Sequence, residues 1–231
     1  MRSLLIFLLF LLPGFTPTLA KSSASKTEWQ QVGDRDGILV YKREIPGSPI
    51  IAFRGTGVVD APIARIAAIL FDPKRAPEWA DDLEESRVVR WISEPIEFIE
   101  YNHVGTPIVI KDRDFVSRVI VNIDAAAGTM HVKYEAADAP EVPKSKYVRG
   151  DLTGSGFILK SIENGTKTFL DGEVQADPKG AIPKWLVNLF QQNWPYNTIQ
   201  AIRRQARKPD IVEHPYFRAV FEKTSQAAVA Q

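Results

Sequence analysis

From Arg113 to Tyr134 the chain alternates in polarity, and this constrains its fold more than any other feature. Phe115, Ser117, Val119, Val121 and Ile123 fall on one side, with Asp114, Arg118 and Asn122 on the other. After an Ala-Gly turn, Met130, Val132 and Tyr134 alternate against His131, Lys133 and Glu135. Successive side chains of an extended chain point to opposite faces, so a period of two predicts strands with one covered and one wet face. That is the pattern of antiparallel sheets. Lys146 to Ile162 and Lys167 to Ala176 predict another hairpin through Asn164-Gly165, a two-residue turn signal, with Leu170, Gly172 and Val174 facing in. Upstream, Ile38–Arg43 and Ile50–Val59 predict a hairpin across Ile45–Pro49, and Arg87–Ser93 and Glu97–Val104 return to strand character.

Two segments follow the helical period. Asp60-Ala61-Pro62 offers a cap and a first-turn proline to a helix whose Ile63, Ile66, Ala67 and Leu70 share a face, and Asp72-Pro73 ends it. After a turn at Asp177–Gly180, a long helix is expected from about Pro183 to Arg207. Its stripe holds Trp185, Leu186, Leu189, Phe190, Tyr196, Ile199 and Ile202, and Pro195 should kink it. Many antiparallel strands closed by one long helix make an α+β arrangement, without the βαβ alternation of parallel sheets.

The ends of the chain read differently. Arg2, an apolar run from Leu4 to Leu12, the Pro13-Gly14 break and Thr18-Leu19-Ala20 have the layout of a secretory signal peptide cleaved after Ala20. The run is shorter than the roughly 20 residues a spanning helix needs. An exported protein is therefore expected, periplasmic in a Gram-negative cell and otherwise secreted or lumenal. Residues 21–28 read as a flexible leader, 29–209 as the folded domain and 210–231 as a C-terminal tail. The chain contains no cysteine, which excludes disulfides and a lipid-modified N-terminus. It carries 29 Lys and Arg against 28 Asp and Glu, and losing Arg2 with the signal peptide makes the signs equal. A nucleic-acid binder would show a net basic footprint, so that class is excluded.

Catalytic signatures are absent. His103, His131 and His214 stand far apart in sequence, with none of the spacings of a zinc site. Gly154-Ser155-Gly156 lacks the spacing of a nucleophile elbow and reads as a strand that something approaches closely. Asp81-Asp82 and Glu84-Glu85 read as a solvated acidic loop. No cofactor is implied.

A curved antiparallel sheet, interrupted by a helix and closed by a long one, resembles the START lipid-binding domains. Arg113-Asp114-Phe115-Val116 is similar to the family's Arg-Asp-Phe-Val signature and is preceded by Gly105-Thr106-Pro107, as in many members. Asp177 to Asn188 resembles the family's approach to its C-terminal helix, and the likeness runs from Trp29 to about Arg207. It implies a helix-grip fold, a sheet wrapped around a hydrophobic cavity under a helical lid, holding one lipid or other apolar molecule without catalysis. The cavity residues it implies are Glu100, Phe115, Ser117, Val119, Val121, Tyr134, Leu170, Trp185, Leu186, Leu189 and Phe190. Read from the residues alone, these side chains could equally fill a core.

Sterol-binding members of the family pair a buried acid with an arginine. Glu100 stands at the acid position, but the arginine position is Val119, and Arg118 lies on the opposite face. Ser117 and Tyr134 remain as polar contacts for a head group. Arg203, Arg204, Arg207 and Lys208 either complement the C-terminus of the long helix or touch anionic lipid during exchange. A monomer with transient membrane contact is expected. The rival readings are a helix-grip enzyme of cyclase or hydrolase type using the same cavity, and a ligand-free module with a filled core.

Overall fold

The computed structural model describes residues 28–106 and 110–229, with side chains to Glu222. The expected signal peptide and nearly all of the leader lie outside the described residues. Ten strands form: β1 (Gln30–Arg35), β2 (Ile38–Glu44), β3 (Ile51–Val59), β4 (Leu83–Ser93), β5 (Glu97–Val104), β6 (Arg113–Asp124), β7 (Thr129–Ala136), β8 (Val148–Ile162), β9 (Lys167–Val174) and the short β10 (Ala176–Asp177). Three helices accompany them: α1 (Ile63–Leu70), α2 (Lys184–Ala206) and α3 (Pro215–Val229).

The strands make one curved sheet in the order β1-β2-β3-β9-β8-β7-β6-β5-β4, and β10 pairs with β8. Neighbours on this path are antiparallel, as the alternation predicts. The sheet does not close. Its tightest point is where Val148–Gly150 of β8 run parallel to Arg113–Phe115 of β6, beyond the end of β7. β1 was not legible as a strand: Val32 is its only large apolar residue, and it sits at an edge where no second face needs covering. The β8–β9 loop has four residues, two more than a two-residue turn. Ile162 and Lys167 are its last paired residues, and Glu163 joins Asn164 and Gly165 at positive φ.

Register explains how α2 sits on the inner face. Val121, Val132, Phe157, Gly172, Gly55 and Val40 are successive partners across β6, β7, β8, β9, β3 and β2. This row changes from large side chains to glycine where α2 crosses. A Cβ on Gly55 would stand 2.6 Å from Cβ of Pro195, so the missing side chain is what lets the helix approach. The residues of α2 turned inward are Val187, Gln191, Pro195, Thr198, Ile199, Ile202 and Ala206, with Ala201 and Gln205 also buried.

α1 begins one position later than its proline suggests. Pro62 is the N-cap, and no side chain caps the helix, so exposed Asp60 is not the cap. Thr168 of β9 instead donates to the carbonyl of Ala61 at 2.7 Å and fixes the start. The expected tail is also corrected. Ile211, Phe217 and Phe221 are buried in the main core, and α3 packs on α1, with Phe217 stacked on Phe71 at 5.3 Å. The outer face is not wet throughout either. Ile99, Tyr101 and Val116 pack with Ala139 and Val142 of the β7–β8 connection into a second small core.

Candidate ligand-binding site

The Arg-Asp-Phe-Val run at the start of β6 ties down four different neighbours. Arg113 donates to the carbonyls of Lys111, Pro178 and Lys179, binding the approach to α2 to the sheet. Buried Asp114 accepts from Arg149 at 2.8 and 3.1 Å and from Ser145 at 2.9 Å, on the outer face. Phe115 turns inward over Gly150, where a Cβ would come within 2.4 Å of its ring. Val116 enters the small outer core.

Beyond Phe115, β6 presents Ser117, Val119 and Val121 inward, all buried. On β5, Asn102 stands opposite Phe115, Glu100 opposite Ser117 and Phe98 opposite Val119. Side chains opposed in this way have Cβ atoms about 4.5–5.5 Å apart. Glu100 is buried, and its two oxygens accept from Ser86 at 3.2 Å and Asn102 at 3.0 Å. Burial pushes its carboxyl from 4.5 up to about 7, against the pull of these two bonds. No cation contributes to that balance. The phenol of Tyr134, opposite Val119, is pushed up first by burial and then by the Glu100 charge. Ser117 Oγ and Asn102 Oδ1 are buried without a protein partner. Tyr134, Phe157 and Trp194 form an aromatic run at 6.3 and 5.9 Å that carries this face across to α2.

A START domain profile matches residues 18–204 of the chain. The chain belongs to the START domain family. An uncharacterized Pseudomonas aeruginosa protein, PA1579, is 28% identical over 187 residues, covering 80% of this chain and 90% of the relative. A solved STAR-related lipid transfer protein from Xanthomonas axonopodis is 26% identical, with a TM-score of 0.67, over 78% of this chain and 99% of that one. Human STARD10 shares the fold, with a TM-score of 0.71 at 18% identity over 85% of this chain and 78% of that one. START domains generally bind lipids or other hydrophobic ligands without catalysis.

On this START domain the expected cavity residues divide into two groups. Glu100, Phe115, Ser117, Val119, Val121, Tyr134 and Leu170 do share the inner side of the sheet. Trp185, Leu189 and Phe190 do not join them: they are 68, 48 and 51% exposed, and Leu186 is half-buried. Gln191 takes the inward place instead, because its amide pairs with both the N–H and the carbonyl of Ala176, at 3.3 and 2.7 Å. Trp185 and Leu189 line an open cleft of about 880 Å³ beside the β1–β3 edge, with Val32 and Tyr196. No helix among the described residues is long and apolar enough to cross a membrane. Ser86 and Asn102 were missed. Asn102 lies two residues from Glu100 and was legible by alternation, whereas Ser86 depends on bulges in the β4–β5 pairing.

Arg118 faces outward and pairs with Glu97, as its position one residue from Val119 requires. In the basic cluster of α2, Arg203 donates to the carbonyls of Val58 and Asp36, and Lys208 pairs with Glu78. Arg204 and Arg207 are exposed. Among the described residues, Glu84, His103 and Asp112 lie close enough together to hold a metal ion. Their carboxylates, however, face opposite ring nitrogens of His103, at 3.4 Å from Nδ1 and 3.1 Å from Nε2.

Proposed function

We propose that this START domain is an exported monomer that binds one lipid or similar apolar molecule between the inner face of β5–β7 and α2, and carries it without converting it. The observation that carries the reading is the pair of unpartnered buried groups, Ser117 Oγ and Asn102 Oδ1, set beside Glu100 on an otherwise apolar face. Buried polar groups are normally paired, and a ligand's polar end would pair these. The test is native mass spectrometry of the purified mature protein with extraction of any co-purified lipid. Absence of bound lipid, together with failure to take up a fluorescent fatty alcohol, rejects the proposal.

Export rests on the Leu4–Leu12 run and the Thr18-Leu19-Ala20 site. It requires a mature N-terminus at Lys21 in the soluble exported fraction, and Met1 retained on exported protein would refute it. Delivery at a membrane surface gives a role to exposed Trp185, Leu189 and Phe190, with Arg204 further along the same helix and Arg207 at its C-cap. Trp185→Asp combined with Leu189→Asp should weaken flotation with anionic vesicles while leaving thermal stability unchanged.

A further inference from the structure

Three side chains that lipid binding does not use meet on the outer face of the sheet. His103, 6% exposed, follows Ile99 and Tyr101 along β5. Glu84 is the extra residue of a bulge between the Leu83–Val104 and Glu85–His103 pairs, which turns it toward His103, and Asp112 immediately precedes β6. Their ligand atoms lie within 4.8 Å of one another. We propose that they form a zinc site, in which His103 Nδ1 and the Glu84 carboxylate ligate the ion while Asp112 holds the imidazole from its other side. The three sit on separate strand ends, so no sequence spacing announces them.

The proton inventory of the cluster calls for a cation. A neutral imidazole has one N–H and one lone pair. Nε2 lies 3.1 Å from Asp112 Oδ2, an ordinary hydrogen-bond distance, and Asp112 is fixed in turn by the backbone N–H of Thr106, which donates to Oδ1 at 3.0 Å. The proton therefore belongs on Nε2, and the lone pair of Nδ1 is left to Glu84 Oε2 at 3.4 Å. Two electron-rich atoms facing each other repel unless a cation lies between them. Among the described residues neither acid pairs with a lysine or arginine, since Arg87 is taken by Glu85 and Arg149 by Asp114.

The geometry suits zinc. Ligands about 2.0–2.1 Å from a tetrahedral zinc ion stand about 3.3–3.4 Å apart, which matches the 3.4 Å between Nδ1 and Oε2. A ligating imidazole usually donates its other N–H to a carboxylate or carbonyl, which fixes the ring and makes it a better base. Tyr147, stacked on the ring at 3.9 Å and 16°, holds its plane. Gly105 leaves room for the acid, because a Cβ there would stand 2.5 Å from Glu84 Oε1. The Glu84 side chain is 59% exposed, so the remaining coordination positions open to water. Imidazole with carboxylate favours zinc over magnesium and calcium, which take oxygen ligands. A bound ion joins the start of β4, the end of β5 and the approach to β6 at one point.

The test titrates chelator-treated mature protein with zinc at neutral pH, following the melting temperature and the ring-nitrogen resonances of isotopically labelled histidine. The expected result is one zinc ion per chain, a raised melting temperature, a shifted His103 Nδ1 resonance and a proton retained on Nε2. Magnesium and calcium at the same concentration should change none of these. Glu84→Gln, at an exposed position, should keep the fold and weaken zinc binding at least about tenfold, and Asp112→Asn, acting through the ring, by about 10–100-fold. His131→Gln and His214→Gln should leave the affinity unchanged. Zinc bound as tightly by Glu84→Gln as by the unsubstituted protein overturns the inference, and so does the absence of one-to-one binding. A His103 ring protonated on both nitrogens in excess zinc also overturns it, because a proton then bridges the two acids. Lipid binding is unaffected by any of these outcomes.

Discussion

A carboxyl group buried beside two neutral hydrogen-bond donors makes Glu100 a cost to the fold at neutral pH. The folded state holds its proton to about pH 7, while the unfolded chain releases it near 4.5. The fold therefore binds more protons throughout that window, and its stability falls as pH rises through it. Below the window both states are protonated, and above it neither is. Glu100→Gln should remove this slope, leaving stability similar at pH 4 and raising it at pH 8 by on the order of 3 kcal/mol. Urea unfolding at the two pH values measures it, and parallel pH profiles for the two proteins would refute it. At this scale the family resemblance pointed to Glu100, whereas alternation was read only for Ser117 and its neighbours on β6. Neither could show that Ser86 and Asn102 would share the carboxylate, since bulges at three places in the β4–β5 pairing decide which β4 side chain comes near.

Helical period found α2 and its limits but misplaced its inner side. Apolar spacing put Trp185, Leu189 and Phe190 on the stripe facing the cavity, yet the helix turns Val187, Gln191 and Pro195 inward. Two contacts fix that rotation, and neither can be seen in hydropathy: the paired amide of Gln191 on Ala176, and Pro195 seated on Gly55. Tertiary contact overrides the apolar stripe because an unpaired Ala176 peptide would cost more than an exposed Leu189. The glycine seat makes a specific prediction. Gly55→Ala should force α2 outward and cost about 1–3 kcal/mol, as overpacking does elsewhere. Gly33→Ala, whose new Cβ would lie 3.4 Å from Val40, is the control and should cost far less. Equal losses in the two variants, read from denaturation midpoints, would show that α2 does not depend on this close approach.

At the scale of the whole molecule, the C-terminal segment is as much part of the core as the sheet. The family match ends at residue 204, and low polarity contrast after Arg207 made the rest read as a tail. The missing signal was long-range: Phe217, Val220 and Phe221 mark only a short apolar face in the sequence, and it is α1 that offers it a surface. Arg65 of α1 joins the two parts, donating to the carbonyls of Ala206 at the end of α2, of Lys208, and of Ile211 before α3. These carbonyls include ones a helix terminus leaves unsatisfied, so α1 caps α2 and anchors the path to α3 together. Phe217, 1% exposed and stacked on Phe71, then covers the outer side of α1. Truncating a buried phenylalanine to alanine costs about 3–5 kcal/mol, a large part of the stability of an ordinary domain. A mature chain ended at Pro209 loses Ile211, Phe217 and Phe221 together and should fail to fold or melt far below the full-length protein. One ended at Glu222 keeps all three and should melt close to it. If the chain ended at Pro209 unfolds at the same temperature as the full-length protein, α3 is an appendage and the domain closes at Arg207 after all.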